Sequence, residues 1–371
     1  MFNPFLENPR PDFDEFTAII QGRTEPKRVP LIELSMDEIV MKQITEHFLG
    51  ETWIDWCRGF EYTPGESYFR QVVRLYHHLG YDCAPVWATW EAHPRPDYRV
   101  GIDTAGNGDS QRAWTEESSG LIASWADFER FPWGKLQPDP RPVEFAAKYL
   151  PAGMKLTANT TFFEHVFEHL LGVEGLSYML YDEPDLAEAV FESWGQKVYG
   201  YYRAVIDHDA VGAIFHADDM GFKTSTLISP DALRRYVLPW LKKFAALAHD
   251  HGKAFYLHTD GNLYRQGIMD DLIDDVKIDG KHGFEDTIMS VTDFRQTYGE
   301  RIATFGGVDM DRLVESDKQT LREYVRAILD ANMPGGCYAF GTGNTVANYV
   351  PLDRFVILLE EARLWSSSWS R

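Results

Sequence analysis

His258 and Asp260 stand two residues apart at the end of the run KAFYLHTDGN, residues 253–262. In an extended chain, residues i and i+2 point to the same side, so an imidazole and a carboxylate can reach one metal ion or one substrate group. Asp260 could instead cap the turn at Gly261. Burying a histidine beside a carboxylate needs a partner, however, which favours a functional pair. The apolar residues before them, Ala254, Phe255, Tyr256 and Leu257, read as a buried parallel strand whose polar groups gather at its C-terminal end.

Other polar residues fall at comparable places. Asp218 and Asp219 follow the run VGAIFHA; in a regular strand only one of them faces inward, to cap the next segment, to bond a substrate or to support His258. His282, in KHGFED beside Glu285, is either a metal ligand or general base titrating near neutrality, or an ordinary loop residue. We take Asp218, Asp219, His258, Asp260 and His282 as catalytic candidates, with His258 and Asp260 as the metal pair. Glu33, Trp87, Asn159, Glu285, Thr342 and Asn344 are the substrate-facing candidates, and Asp309 belongs to the same rim. His165 and His169, spaced i and i+4, could form a second metal pair, but Glu164 and Glu168 beside them suggest a charged helix face.

Positioning these groups requires strand ends that meet. Residues 229–251 predict a helix, with Ser229 as N-cap, Pro230 in the first turn and Gly252 as the stop, directly before the 254–258 run. The same rhythm of helix, stop and short apolar run recurs at 29–35, 81–87, 154–160, 211–218, 276–281, 302–307 and 337–342. Pro85 weakens the second of these runs. Eight short runs separated by helices predict a (β/α)8 TIM barrel in a single domain spanning 1–371, with an open doubly wound sheet as the alternative. Residues 1–28 form an N-terminal extension with a short helix near 13–21. Residues 90–150 break the rhythm with an exposed hairpin (98–102 and 112–116) and two proline-rich joints, an inserted region of the kind that shapes a pocket. Seven of the 11 tryptophans lie in the first half of the chain, around this insertion; most serve packing, and a few could line an apolar pocket for an aromatic or methoxyaromatic ligand.

The totals exclude several classes. With 36 basic and 57 acidic residues the formal charge is −21, which disfavours nucleic acid and anionic membrane as partners. Three scattered cysteines predict a reduced protein, and the acidic, proline-containing start lacks the features of a secretory signal, so a cytoplasmic location is expected. No stretch approaches the roughly 20 apolar residues of a membrane helix.

The segments ADDMGFKTSTLISPDALRRYVLPWLKKFAALAHDHGKAFYLHTDGN, FGGVDMDRL and GTGNTVANYVPLDRF resemble the uroporphyrinogen decarboxylase superfamily, which includes cobamide-dependent methyltransferases. The resemblance implies a (β/α)8 barrel. For the decarboxylase it also implies an arginine-rich segment after the first strand, an aspartate after the second and a late Gly-His-Gly. This chain has LIELSMDEIVMKQ, Thr89, and Gly341-Thr342-Gly343 at those places, and its acidic wall would repel a polycarboxylate. For the methyltransferases the resemblance implies a zinc site made by His-x-Cys and a distant cysteine. Here the pair is His258-x-Asp260, the late position falls at Thr342, and Cys337 lies at the wrong end of its strand. Imidazole and carboxylate suit zinc or another, harder divalent ion. The expected function is a corrinoid-linked methyltransferase or demethylase, with a small-molecule substrate and a corrinoid protein as partner. A decarboxylase of uroporphyrinogen or of a smaller acid is the alternative, followed by a non-catalytic ligand-binding barrel. The oligomeric state stays open, a homodimer included.

Overall fold

The computed structural model describes residues 2–55, 65–91, 93–94, 98–102, 111–115 and 120–369. Seven of the eight expected strands form one parallel sheet, in the order Cys83–Trp87, Lys155–Asn159, Val211–Ala217, Ala254–His258, Gly280–His282, Ala303–Phe305 and Tyr338–Ala339. The first expected strand takes the eighth place through bridges alone. Leu31 pairs in parallel with Phe340 and Met36 with Val346, and Ile32 N donates to Phe340 O at 3.0 Å. The fold is a (β/α)8 barrel, with all strand C-termini opening on one mouth.

Alternation along the strands separates two cores. Ile32, Leu34, Ala213, Phe215, Tyr256, Ala303, Phe305 and Ala339 fill the inside, while Leu156, Ile214, Phe255 and Leu257 face the surrounding helices. The N-terminal helix Phe13–Ile20 is part of this design. Its Phe13, Phe16 and Ile20 join the inner cluster and close the barrel floor, each such burial contributing about 1.5–3 kcal/mol. The extension is therefore a plug.

Local sequence sets the helix ends. The helix that precedes the His258 strand runs from Pro230 to Asp250 through a π turn at Leu233–Val237, and Ser229 Oγ accepts from Ala232 N at 3.2 Å. Gly252, at φ +68°, stops it where other residues would be strained. Pro85 sits inside its strand opposite Thr157; that strand carries regular pairing along one edge only, which leaves room for a residue without an N–H.

Two expectations shift. The sixth strand is Gly280–His282 rather than 276–281, because Val276 closes a π-helical turn and Lys277 reverses the chain at φ +68°. Val276 and Ile278 are apolar because they pack in the outer core. The inserted region is also shorter than 90–150. Its hairpin pairs Tyr98–Ile102 with Gln111–Thr115, so Glu116 of the expected second arm lies outside the described residues, as does the turn between the arms. Thr89–Glu91 pairs antiparallel with Gln137–Asp139. From Arg141, however, the chain is back in the barrel: helix Arg141–Ala147 buries Pro142, Val143 and Ala146 against the first two strands of the sheet. Among the described residues no helix is long and apolar enough to cross a membrane.

Candidate active site at the barrel mouth

His258 ends its strand and is buried, and its two ring nitrogens have different surroundings. Nδ1 lies 2.7 Å from Nδ1 of His282, the last residue of the neighbouring strand, in register with it. His282 Nε2 lies 3.0 Å from Thr342 O. A carbonyl only accepts, so that nitrogen carries the proton. Burial and then the nearby His258 hold His282 well below the usual imidazole range, so the ring is neutral and its Nδ1 is a lone pair. His258 must therefore donate from Nδ1. That leaves His258 Nε2 facing the mouth, 3.3 Å from Asp219 Oδ1. Burial works against a charged His258, but Asp260 and Asp219 outweigh it and raise the pKa.

Asp219 Oδ1 also accepts from Asp260 N at 3.0 Å, which folds the 258–260 segment back over the 218–219 loop. Asn344 holds the other side: its Nδ2 donates to Asp260 Oδ2 at 2.5 Å, and its Oδ1 accepts from Thr345 N, which fixes the amide orientation. Asp260 Oδ1 is buried and has no partner. Asp219, His258 and Asp260 each offer one ligand atom, all within 4.8 Å of one another. An orphaned carboxylate oxygen beside a second carboxylate and an imidazole Nε2 that can give up its proton to a metal fits a divalent cation with one nitrogen and two oxygen ligands.

Charges around this trio tune it. Burial raises Asp260 to about 6, offset by His258 and Lys281. Lys281 is fully buried on the outer side of its strand, with Nζ donating to Gly283 O and lying 4.0 Å over the Phe284 ring; burial lowers it to about 8. A lysine closing a run read as a buried strand was the sequence signal for it, since a buried ammonium needs compensation. Glu164 is a second group missed by sequence reasoning. Burial and then Asp219, Glu168, Asp218 and Asp260 raise its carboxyl well above the usual range, which favours the protonated form. Nothing local marks it, because the groups that act on it arrive from other strands.

The remaining candidates divide between the site and its frame. Asp218 turns away from the trio: Oδ1 accepts from Phe162 N and Glu164 N, capping the helix that carries Glu164, and Oδ2 accepts from His216 Nε2 at 2.8 Å. Asn159 ties Thr157 to Leu34 O across the barrel. Asp309 caps helix Met310–Glu315 and accepts from Asp286 N. Glu285 stays at the rim, raised by burial and by Asp309 and Asp219. Trp87 lines a cavity of about 260 Å³ with Ser35, Met36, Tyr68, Phe69 and Tyr76, beside the ends of the first two expected strands. A larger hollow, about 960 Å³, lies at the floor around Phe13, Lys155 and Lys253, away from the strand C-termini.

Glu33 is buried beneath Thr342. Thr342 Oγ1 meets both Glu33 Oε2 and Asn344 O, and its single proton must serve the carbonyl. The contact with Glu33 then requires a proton on the carboxyl, in agreement with a pKa raised by burial to about 8.

The family model for uroporphyrinogen decarboxylase (URO-D) matches residues 165–365. The chain belongs to that family. No curated protein matches it in sequence. Among solved structures, the URO-D chain superposes on a methyltransferase from Methanosarcina mazei with a TM-score of 0.65 and 16% identity, over 94% of this chain and 97% of the other. That likeness shows a shared fold. A β-glycosidase from Thermosphaera aggregans (TM-score 0.43, 10% identity, 82% of this chain and 88% of the other) and a xylanase from Gloeophyllum trabeum (0.40, 11%, 65% and 84%) resemble it more weakly, and no argument rests on them.

Proposed function

We propose that this URO-D family member is a methyltransferase or demethylase that takes a methyl group from a small donor and passes it to a corrinoid carried by a partner protein. The observation that supports this most directly is the trio Asp219, His258 and Asp260, in which one Asp260 carboxylate oxygen is buried without a partner. A divalent cation held there would act as a Lewis acid on a donor or acceptor heteroatom. A site with two carboxylates and no thiolate selects a harder cation than a His-x-Cys site does, which suits an oxygen or nitrogen donor.

The protein's own residues do the rest. His282 fixes His258 in the tautomer whose Nε2 faces the mouth, and Asn344 leaves one Asp260 oxygen available. When a methyl group leaves an oxygen or nitrogen, that atom must take up a proton. Glu164, tied to the mouth through Asp218 and with its carboxyl pushed toward the protonated form by burial and the nearby carboxylates, is the donor we assign. The aromatic cavity beside Trp87 suits the apolar part of a small methoxyaromatic or methylamine-type substrate.

The test is methyl transfer from a panel of methylated donors to cob(I)alamin, with added Zn²⁺ or Mn²⁺, followed by the absorbance change on cobalt methylation. Turnover that disappears in Asp260→Asn supports the reading. Inactivity with all donors and metals would overturn it, and conversion of uroporphyrinogen by the same preparation would replace it with the decarboxylase.

A further inference from the structure

A second cluster of imidazoles lies on the other side of the helix that carries Glu164. His165 follows Glu164, and His169 follows one turn later, across the π turn Val166–Leu170. Sequence reasoning took this for a charged surface. Instead His165 stacks on Trp194 with ring centres 4.2 Å apart, and its Nε2 meets Nε2 of His93 at 2.8 Å. The His169 ring centre is 4.8 Å from that of His165. His169 Nδ1 is buried without a partner, an arrangement that costs about 1–3 kcal/mol if left as it is.

The tautomers can be read from the carbonyls. His93 Nδ1 lies 2.5 Å from Pro94 O, so it carries the proton. Burial lowers all three rings, His169 to about 4, so they are neutral at physiological pH. His93 Nε2 is then a lone pair, oriented by a backbone carbonyl on its far nitrogen as metal-binding histidines commonly are. In the metal-free protein His165 Nε2–H donates to it.

We propose that His93, His165 and His169 form a site for a borderline transition-metal cation such as Zn²⁺, Co²⁺ or Ni²⁺, which clips the start of the inserted region to the barrel helix. Imidazoles without a neighbouring soft ligand select such ions. The cation replaces the proton shared by His93 and His165, and His165 moves to its Nδ1–H tautomer. A tetrahedral ion with bonds of about 2.0–2.1 Å sets ligand nitrogens about 3.3 Å apart, so the two rings part by roughly half an ångström. His169 reaches the ion by rotating its side chain, which is 23% exposed. This site is independent of the mouth trio and of the function proposed for it.

The experiment uses the full chain with the mouth silenced by the isosteric pair Asp219→Asn and Asp260→Asn. Co²⁺ titration, read by visible absorption and by metal content after dialysis, should show one ion per chain. Adding His169→Gln or His93→Gln should weaken that binding at least tenfold while the far-ultraviolet circular dichroism stays unchanged. The proposal is overturned if the silenced chain binds no Co²⁺, or if its bound Co²⁺ persists in both glutamine variants. Should either glutamine variant unfold, the thermal midpoint of the silenced chain decides: a rise with Co²⁺ supports the site, and no shift overturns it.

Discussion

His258 and His282 share one proton across 2.7 Å between their Nδ1 atoms, and the carbonyl of Thr342 decides which ring owns it. The neutral, buried His282 accepts, so His258 presents its other nitrogen to Asp219 and Asp260. A backbone oxygen just beyond the Tyr338–Ala339 strand thereby sets the chemistry of a side chain three strands away in the sheet order.

Replacing His282 with Phe keeps the ring volume and removes the acceptor. His258 is then free to present either nitrogen, and metal affinity at the mouth should fall about 10–100-fold, measured by competition with a chelator. Unchanged affinity would show that His282 orients nothing.

Glu33 connects the mouth to stability. Its folded-state pKa, about 8, lies above the ordinary value of 4.5, so the folded protein binds the proton more tightly than the unfolded chain does. The stabilisation is fully present below pH 4.5 and is lost as pH rises through about 8. Glu33→Gln, which has no carboxyl proton to lose, should not share this decline. Thermal midpoints of both proteins between pH 5 and 9 should diverge, with the wild type falling relative to the variant; parallel curves would place the proton elsewhere.

Lys281 lowers the pKa of Asp260 from beneath the strand. Lys281→Met retains the stem over Phe284 and deletes the charge. The acid limb of metal binding, governed by Asp260 near pH 6, should move to higher pH, read from Co²⁺ affinity at several pH values. A shift to lower pH or none would contradict the electrostatic role.

Gly283 allows the close approach of two loops. At φ +100°, a Cβ there would meet Thr259 O at 2.5 Å and Asp260 Oδ1 at 2.6 Å. Gly283→Ala should cost ~1–3 kcal/mol and displace the carboxylate. Chemical denaturation gives the first quantity and metal affinity the second; an alanine variant of native stability and affinity would show that the loops can move apart freely.

Much of the architecture was legible in the linear chain. Short apolar runs ending in polar residues marked the barrel strands, and Ser229 with Gly252 marked the ends of one helix, because burial and backbone capping act over a few neighbouring residues. The pair His258 and Asp260 was visible for the same reason: two residues apart on a strand is a local fact. Val276 misled because an apolar residue on a helix facing the sheet looks like one within a strand.

What the chain order could not show is which groups meet. Asp219 rather than Asp218 joins His258, Asn344 reaches Asp260 from 84 positions away, and His93 comes against His165 across 72. Protonation follows from those meetings: Glu33, Glu164 and Lys281 are ordinary residues until closure of the barrel removes water from them and brings other charges near. Periodicity is a property of neighbours in sequence and sets the elements. Desolvation and Coulomb interaction depend on neighbours in space, so tertiary structure alone decides what the mouth can do.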